Sequence, residues 1–390
     1  MKKWLITLFL FALPFVLFSK TLMVPGEHGT IATAIEASNE GDTIMVAPGE
    51  YQENLKLENK TLTLASHYLN SQNSADIRNT IIDGNGETVL ELNNVGYETT
   101  IMGFTIRNGD DGIFTTAKFN LLHNYIVKCK DGIDYEGHSG GLCQNNVFEL
   151  NQDDAIDLDD FPDIIIENNI LRNNEDDGIE IRLHEYDGPQ ITCIIRKNLI
   201  SGNGEDGIQF IDYPDVSNRV FYVMNNIIAK TAMAAIGCMS DGNTKENYEA
   251  ANIPELIYLL HNTMVDNHYG VTGGDNMVMM NNIIMNTTNI ALKNVDGNSK
   301  VENNCLWKNG IDHIGSNVIE ASMIYQDPLL EPDFRLKKGS PCIDTGCLHH
   351  LKSTDSILGE QIKIMQGKAP DLGALEFGSQ HWDLQQLPAL

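Results

Sequence analysis

The stretch Leu121-Leu122-His123-Asn124-Tyr125-Ile126 returns as Cys143-Gln144-Asn145-Asn146-Val147-Phe148, and again as Ile166-Glu167-Asn168-Asn169-Ile170-Leu171. The Asn continues at Asn198, Asn226, Asn262, Asn282 and Asn304, in steps of 20 to 29 residues apart from one longer step between Asn226 and Asn262. Three places before each Asn stand Leu121, Cys143, Ile166, Ile195, Val223, Leu259, Met279 and Val301. Two places after stand Ile126, Phe148, Leu171, Ile200, Ile228, Met264, Ile284 and Leu306. Both columns are apolar, and they sit in short strands of alternating character. A unit this small cannot bury its apolar face alone and must stack on copies of itself. The repeat therefore predicts an all-β chain coiled as a parallel β-helix. Its Asn side chains form an amide ladder and serve structure rather than chemistry.

The flanks extend this reading. Thr30 to Glu36 has the pattern of a short amphipathic helix ahead of Gly41-Asp42-Thr43-Ile44 and Pro48-Gly49-Glu50-Tyr51. Such a helix covers the open edge of the first coil. This opening, and the ending Gly339-Ser340-Pro341-Cys342-Ile343-Asp344-Thr345-Gly346 with Pro370-Asp371-Leu372-Gly373-Ala374-Leu375-Glu376, resemble bacterial proteins of the pectin-lyase-like superfamily. The resemblance implies a single-stranded right-handed parallel β-helix with an N-terminal helical cap. It says little about activity, because one fold hosts many. The expected division is residues 1–19 as signal peptide, 20–60 as N-terminal cap and first coils, 61–325 as β-helix, and 326–390 as C-terminal cap and tail. At ~4.8 Å per coil, about twelve coils would make a rod of roughly 55–60 Å.

Lys2 and Lys3 precede an apolar run from Trp4 to Phe18, with Ser19 as the small residue before a cleavage point. This is the pattern of an export signal, and it predicts a secreted, periplasmic or surface protein with no membrane span. The net charge of −28 and the pI near 4.6 argue against nucleic acid, whose phosphates need clustered Lys and Arg. A monomer is expected. Cys143, Cys193 and Cys238 fall where other repeats place aliphatic residues and should be buried thiols. Cys342 and Cys347 lie outside the repeat, where pairing is open.

Acidity keeps an exported protein soluble, but that does not explain clustering: residues 110–215 hold 23 acidic residues against 7 Lys or Arg. Asp111-Gly112-Ile113, Asp131-Gly132-Ile133, Asp154-Ala155-Ile156, Asp177-Gly178-Ile179 and Asp206-Gly207-Ile208 occupy one turn in successive coils, and Ala234 ends the column. Turn chemistry alone accounts for these Asp residues. The residue three places on is Phe114, Asp134, Asp157, Glu180 and Gln209 in order. If the Ile points inward, alternation points this residue outward. Asp134, Asp157 and Glu180 would then stand about 5 Å apart, each adjacent pair costing on the order of 1–3 kcal/mol. Glu136, Asp153 and Asp159 adjoin them. A bound cation relieves that repulsion, and hard oxygen ligands without Cys or His favour Ca²⁺.

The segment Asn151-Gln152-Asp153-Asp154-Ala155-Ile156-Asp157-Leu158 resembles the Asn-x-Asp-Asp-x-x-Asp-Leu segment of calcium-dependent polysaccharide lyases of family 9. The resemblance implies Asp153, Asp154 and Asp157 as Ca²⁺ ligands, with Asp131 one coil earlier, and an acidic polysaccharide, a uronate polymer, as partner. The family's base is a Lys, where this chain has Glu180 and Gln209. Elimination requires a positioned base. Arg182 is the nearest outward candidate, with Glu180, His184 and Lys197 as substrate-binding candidates. A salt bridge from Arg182 to Asp159 and Glu180 is the competing role. Two alternatives stay open: a non-catalytic surface or carbohydrate-binding β-helix, and a glycoside hydrolase using paired Asp. The Gly-His-Gly and Arg-Ile-Lys segments of polygalacturonases are absent.

Overall fold

A computed structural model describes residues 19–379 apart from 215, 249–250, 349–355 and 360–364. The expected signal peptide lies outside these residues except for Ser19. Each coil gives one strand to each of three parallel sheets, named first, second and third in the order the chain visits them. Lys118–Leu122, Tyr125–Val127 and Asp131–Tyr135 form one coil, and Gly140–Gln144, Val147–Glu149 and Ile156–Leu158 the next. The sheets hold twelve, eleven and eleven strands, and the chain is a right-handed parallel β-helix.

The two apolar columns pair in register. Leu121, Cys143, Ile166 and Ile195 are partners along the first sheet, and Ile126, Phe148, Leu171 and Ile200 along the second. Ile156, Ile179, Ile208 and Ile236 do the same along the third. All of them join one continuous buried cluster running from Val24 to Leu306. The helix Ile31–Ala37 closes its N-terminal end, started by a capping box between Thr30 and Thr33, with Ile31, Ala34 and Ile35 turned onto the core.

The Asn column forms an unbroken ladder at the turn from first to second sheet. From Asn124 to Asn282, each residue's N–H and Nδ2 both donate to Oδ1 of the next Asn, at 2.8–3.1 Å. The residue before each ladder Asn is His123, Asn145, Asn168, Lys197, Asn225, His261, Asn281 or Asn303, every one with φ between 53° and 59°. Asn and His tolerate this left-handed backbone better than most residues, which accounts for the Asn-Asn and His-Asn doublets. A second ladder, Asn151 to Asn174 to Asn203, lines the turn from second to third sheet.

The C-terminal segment does more than cap. Gly373 donates to the Asn281 carbonyl at 2.8 Å and Ala374 to Thr263 Oγ1 at 2.9 Å, so residues 371–375 run back along the side of the coils. Cys143, Cys193 and Cys238 are buried as expected, and Cys129 with them. Cys342 is buried too, packed with Cys305, Ile283, Leu336 and Leu372.

Two outcomes follow. Asn169→Ala removes an acceptor from the buried Asn146 N–H, so it should lower stability in urea unfolding by about 3 kcal/mol. Asn168→Gly, one residue earlier in the left-handed position, should change it by less than about 1 kcal/mol. Equal losses would remove the ladder's role. Burial pushes the Cys129, Cys143 and Cys193 thiols up to about 12, so a thiol reagent should label none of them until the protein unfolds. Rapid labelling of folded protein would contradict their placement.

Candidate cation site on the third sheet

The Asp column at the start of the third sheet is itself a ladder. Asp154 N donates to Asp131 Oδ1 at 3.2 Å, Asp177 N to Asp154 Oδ1 at 2.8 Å, Asp206 N to Asp177 Oδ1 at 2.6 Å, and Ala234 N to Asp206 Oδ1 at 2.6 Å. Turn structure therefore employs one oxygen of each carboxylate and leaves the other for the outer face.

The outward column has the register the sequence implies: Phe114 pairs with Asp134, Asp134 with Asp157, Asp157 with Glu180, and Glu180 with Gln209. These side chains leave the core yet are not solvated, since Asp157 is 8% exposed, Glu180 5% and Gln209 1%. Part of the cover comes from residues 240–248 and 251–255, between the strands Ala234–Met239 and Leu256–Leu260. From this flap Glu246 accepts a hydrogen bond from Gln209 at 2.9 Å, and the Tyr248 hydroxyl donates to Asp206. The long step between Asn226 and Asn262 is this flap.

Three acidic groups share Asp154, one of them with Asp176 and Asp177. One carboxylate oxygen from each of Asp154, Asp157 and Glu180 lies within 4.8 Å of the others, and the same holds for Asp131, Asp153 and Asp154. The four aspartates expected to bind one ion thus form two adjoining lobes, and Glu180 belongs to the first. Lys130 sits in the second, 3.0 Å from Asp131 and 3.3 Å from Asp153. In the first lobe Asp157 Oδ1 is buried with no partner, as is Asp134 Oδ1 alongside. Orphaned buried carboxylate oxygens are what a missing hard cation leaves behind, so these residues fit a divalent ion.

Burial first raises Asp134, Asp154, Asp157 and Glu180; neighbouring carboxylates add to it, and Arg182 opposes it at Asp157 and Glu180. Asp134 and Glu180 are pushed up to about 7 and Asp157 to about 9, while Asp154 lies well above the usual carboxylate range.

The other expected site residues divide. Arg182 is locked in a fork, Nη2 2.6 Å from Glu180 Oε1 and Nε 3.3 Å from Asp159 Oδ1. These carboxylates hold its guanidinium above its ordinary pKa against the cost of burial. His184 bonds Asp160 at 2.9 Å and packs edge-on to Tyr213 at 4.2 Å. Lys197 occupies the left-handed turn position before ladder residue Asn198 and pairs with Glu167 at 3.0 Å, away from the third sheet. Arg219 escaped the sequence reading. It is 3% exposed and donates to the carbonyls of Asp160, Arg182 and His184, tying together the turns that carry the basic residues. A concavity of about 890 Å³ is lined by residues that include Asp83, Asn108, Lys128, Gln152 and Glu175, and by none of the acids of the cluster.

A family model described as a right handed beta helix region matches residues 67–221. No curated protein matches the chain. Among solved structures it is similar to the pectate lyase Pel9A, at 14% identity over 92% of this chain and 97% of that one, with a TM-score of 0.60. It is also similar to the catalytic unit of a GH87 α-1,3-glucanase from Streptomyces thermodiastaticus strain HF3-3, at 12% identity over 77% of this chain and 65% of that one, TM-score 0.47. The A-module of the mannuronan C-5 epimerase AlgE4 from Azotobacter vinelandii gives 16% identity over 76% and 91%, TM-score 0.38. At these identities the likeness is one of fold. Among the described residues no helix is long and apolar enough to cross a membrane.

The raised acids predict a pH dependence. A carboxylic acid whose folded pKa exceeds its unfolded one stabilises the fold below the unfolded value and loses that contribution as pH rises through the folded value. With a chelator present, the melting temperature should therefore fall between about pH 5 and pH 9. Saturating Ca²⁺, which binds the ionised form, should abolish that fall. Thermal melts followed by circular dichroism test this, and a flat profile in chelator would show that the acids are not held protonated.

Proposed function

We propose that the protein is an exported, monomeric, calcium-binding β-helix that engages an acidic polysaccharide, a uronate chain, along its third sheet. The observation that carries this reading is the buried Asp154, Asp157 and Glu180 cluster with its orphaned oxygen. These residues would hold Ca²⁺, with Asp131 and Asp153 in the adjoining lobe. Bound there, the ion would neutralise a uronate carboxylate and make the proton α to it more acidic. His184, half-buried and edge-on to Tyr213 beyond the strand Ile179–Leu183, would stand beside a sugar bound there.

A base must give up its own proton before it can take another. Arg182 is bound to two carboxylates that favour its charged form, so the geometry supports binding over turnover. β-Elimination is the second reading, favoured by the Asn151–Leu158 segment, whose aspartates the fold brings together. The pectate lyase that shares this fold is named for an acidic polymer of that class. In this reading Glu180 would serve as a ligand of the cation, which would leave Arg182 free of it to act as the base.

Calcium at a hundred times its dissociation constant should stabilise the protein by about 2.7 kcal/mol. Asp154→Asn with Asp157→Asn should abolish the gain while raising the metal-free stability slightly, since Asn at 154 retains an acceptor for the Asp177 N–H. NaCl at equal ionic strength should not reproduce the gain, and if it does the site is only a charged surface. An absorbance assay for unsaturated uronate on several polyuronates should show no product. Product that forms with Ca²⁺ and vanishes in Arg182→Ala would install elimination in place of binding.

A further inference from the structure

Further along the same face, Asp177, Glu205 and Glu246 each bring one carboxylate oxygen within 4.8 Å of the others. None of the three belongs to the Asp154, Asp157 and Glu180 cluster. Asp177 and Glu205 come from successive turns, whereas Glu246 descends from the flap. Three acids meeting in this way carry no inference alone. Two further side chains do.

Gln209 is 1% exposed and donates from Nε2 to Glu246 Oε1 at 2.9 Å, which places its amide at the cluster, yet its own Oε1 has no partner. Asp206 is fully buried. Its Oδ1 accepts from Ala234 N and the Tyr248 hydroxyl, while Oδ2 is likewise unpartnered. That oxygen projects beside Gly237, the register partner of Gln209, lying 1.5 Å from where a Cβ on that glycine would stand. The absence of a side chain at Gly237 thus leaves open the position that Asp206 Oδ2 occupies. Among the described residues no Lys, Arg or His forms an ion pair with Asp177, Glu205, Asp206 or Glu246, whereas the first cluster has Lys130 and Arg182 beside it.

We propose that Asp177, Glu205 and Glu246, with Asp206 and Gln209, form a second site for a hard divalent cation, which pins the flap over the acidic face. The donors are all oxygens, and their number suits Ca²⁺, which takes six to eight with water making up the remainder. One donor, Glu246, lies on the flap, outside the turns and strands that any coil must build, and Gln209 on the third-sheet strand is tied to it. Occupancy therefore links flap closure to cation concentration, independently of whether the first cluster is filled.

The test uses the full chain near neutral pH with Ca²⁺ as the probe. Calorimetric titration should show one more equivalent bound by wild type than by Glu205→Gln/Glu246→Gln. Asp157→Asn/Glu180→Gln should lose a different equivalent, and Gln209→Met should weaken only the flap site. Trypsin supplies a second readout, because Lys245 is exposed on the flap. Calcium should slow cleavage there about tenfold in wild type and in Asp157→Asn/Glu180→Gln, and not in Glu205→Gln/Glu246→Gln. Melts in chelator establish that each variant is folded. Wild-type stoichiometry with calcium protection intact in Glu205→Gln/Glu246→Gln would overturn the proposal. So would calcium protection that disappears only with the first cluster, even though that result would leave the proposed function standing.

Discussion

Each coil of this molecule is fastened to the next by a side-chain oxygen that accepts the neighbouring coil's backbone N–H at a turn. Strand-to-strand bonds alone would hold the sheets, but a one-residue slip would turn every inward Ile outward. The Asn and Asp ladders forbid that slip, because each rung fits only one residue of the adjacent coil. Register then lines up the apolar columns into one interior. The same register lines up every outward side chain, whatever its charge. The acidic face is thus a consequence of the same constraint that builds the core.

How far sequence alone reaches follows from the range of each interaction. The inward columns and the first Asn ladder were legible because period, polarity and dipeptide identity repeat within every coil. The outward column Asp134, Asp157, Glu180 and Gln209 was legible for the same reason, and its register is as expected. Its burial was not. The flap that covers Gln209 and Asp206 breaks the repeat, so its only trace was the long step after Asn226.

The misreadings are equally instructive. Lys197 is a substrate-binding candidate close in sequence to Arg182 and His184, but each coil turns through all three sheets. It sits at another corner, where the doublet pattern shows that a left-handed residue was required. The ligand set was read as four aspartates around one ion, whereas Lys130 occupies the pocket of Asp131 and Asp153 and shifts the vacant acids toward Glu180. Asn151 stood in the motif that suggested chemistry and proves to be a ladder residue. Arg219 had no sequence signal at all, since its role lies in three carbonyls of distant turns.

A spacing of about 5 Å between coils is fixed by backbone hydrogen bonds, so neighbouring carboxylates cannot move apart as they would on a flexible loop. Nor can they rotate freely into water, because Asp157 and Glu180 are nearly closed off. Two means of relief remain, a proton or a cation, and both act on the same oxygens. The proton relieves one carboxylate at a time and is lost as pH rises, whereas a divalent ion relieves several together and binds more tightly as the protons leave. Arg182 is a third, partial means, limited by its planar fork to Glu180 and Asp159. Asp157 feels the charge of that fork, but its Oδ1 accepts a hydrogen bond neither from it nor from any other described group. That oxygen, with Asp134 Oδ1, is one on this face that a cation could relieve and that the existing hydrogen bonds do not.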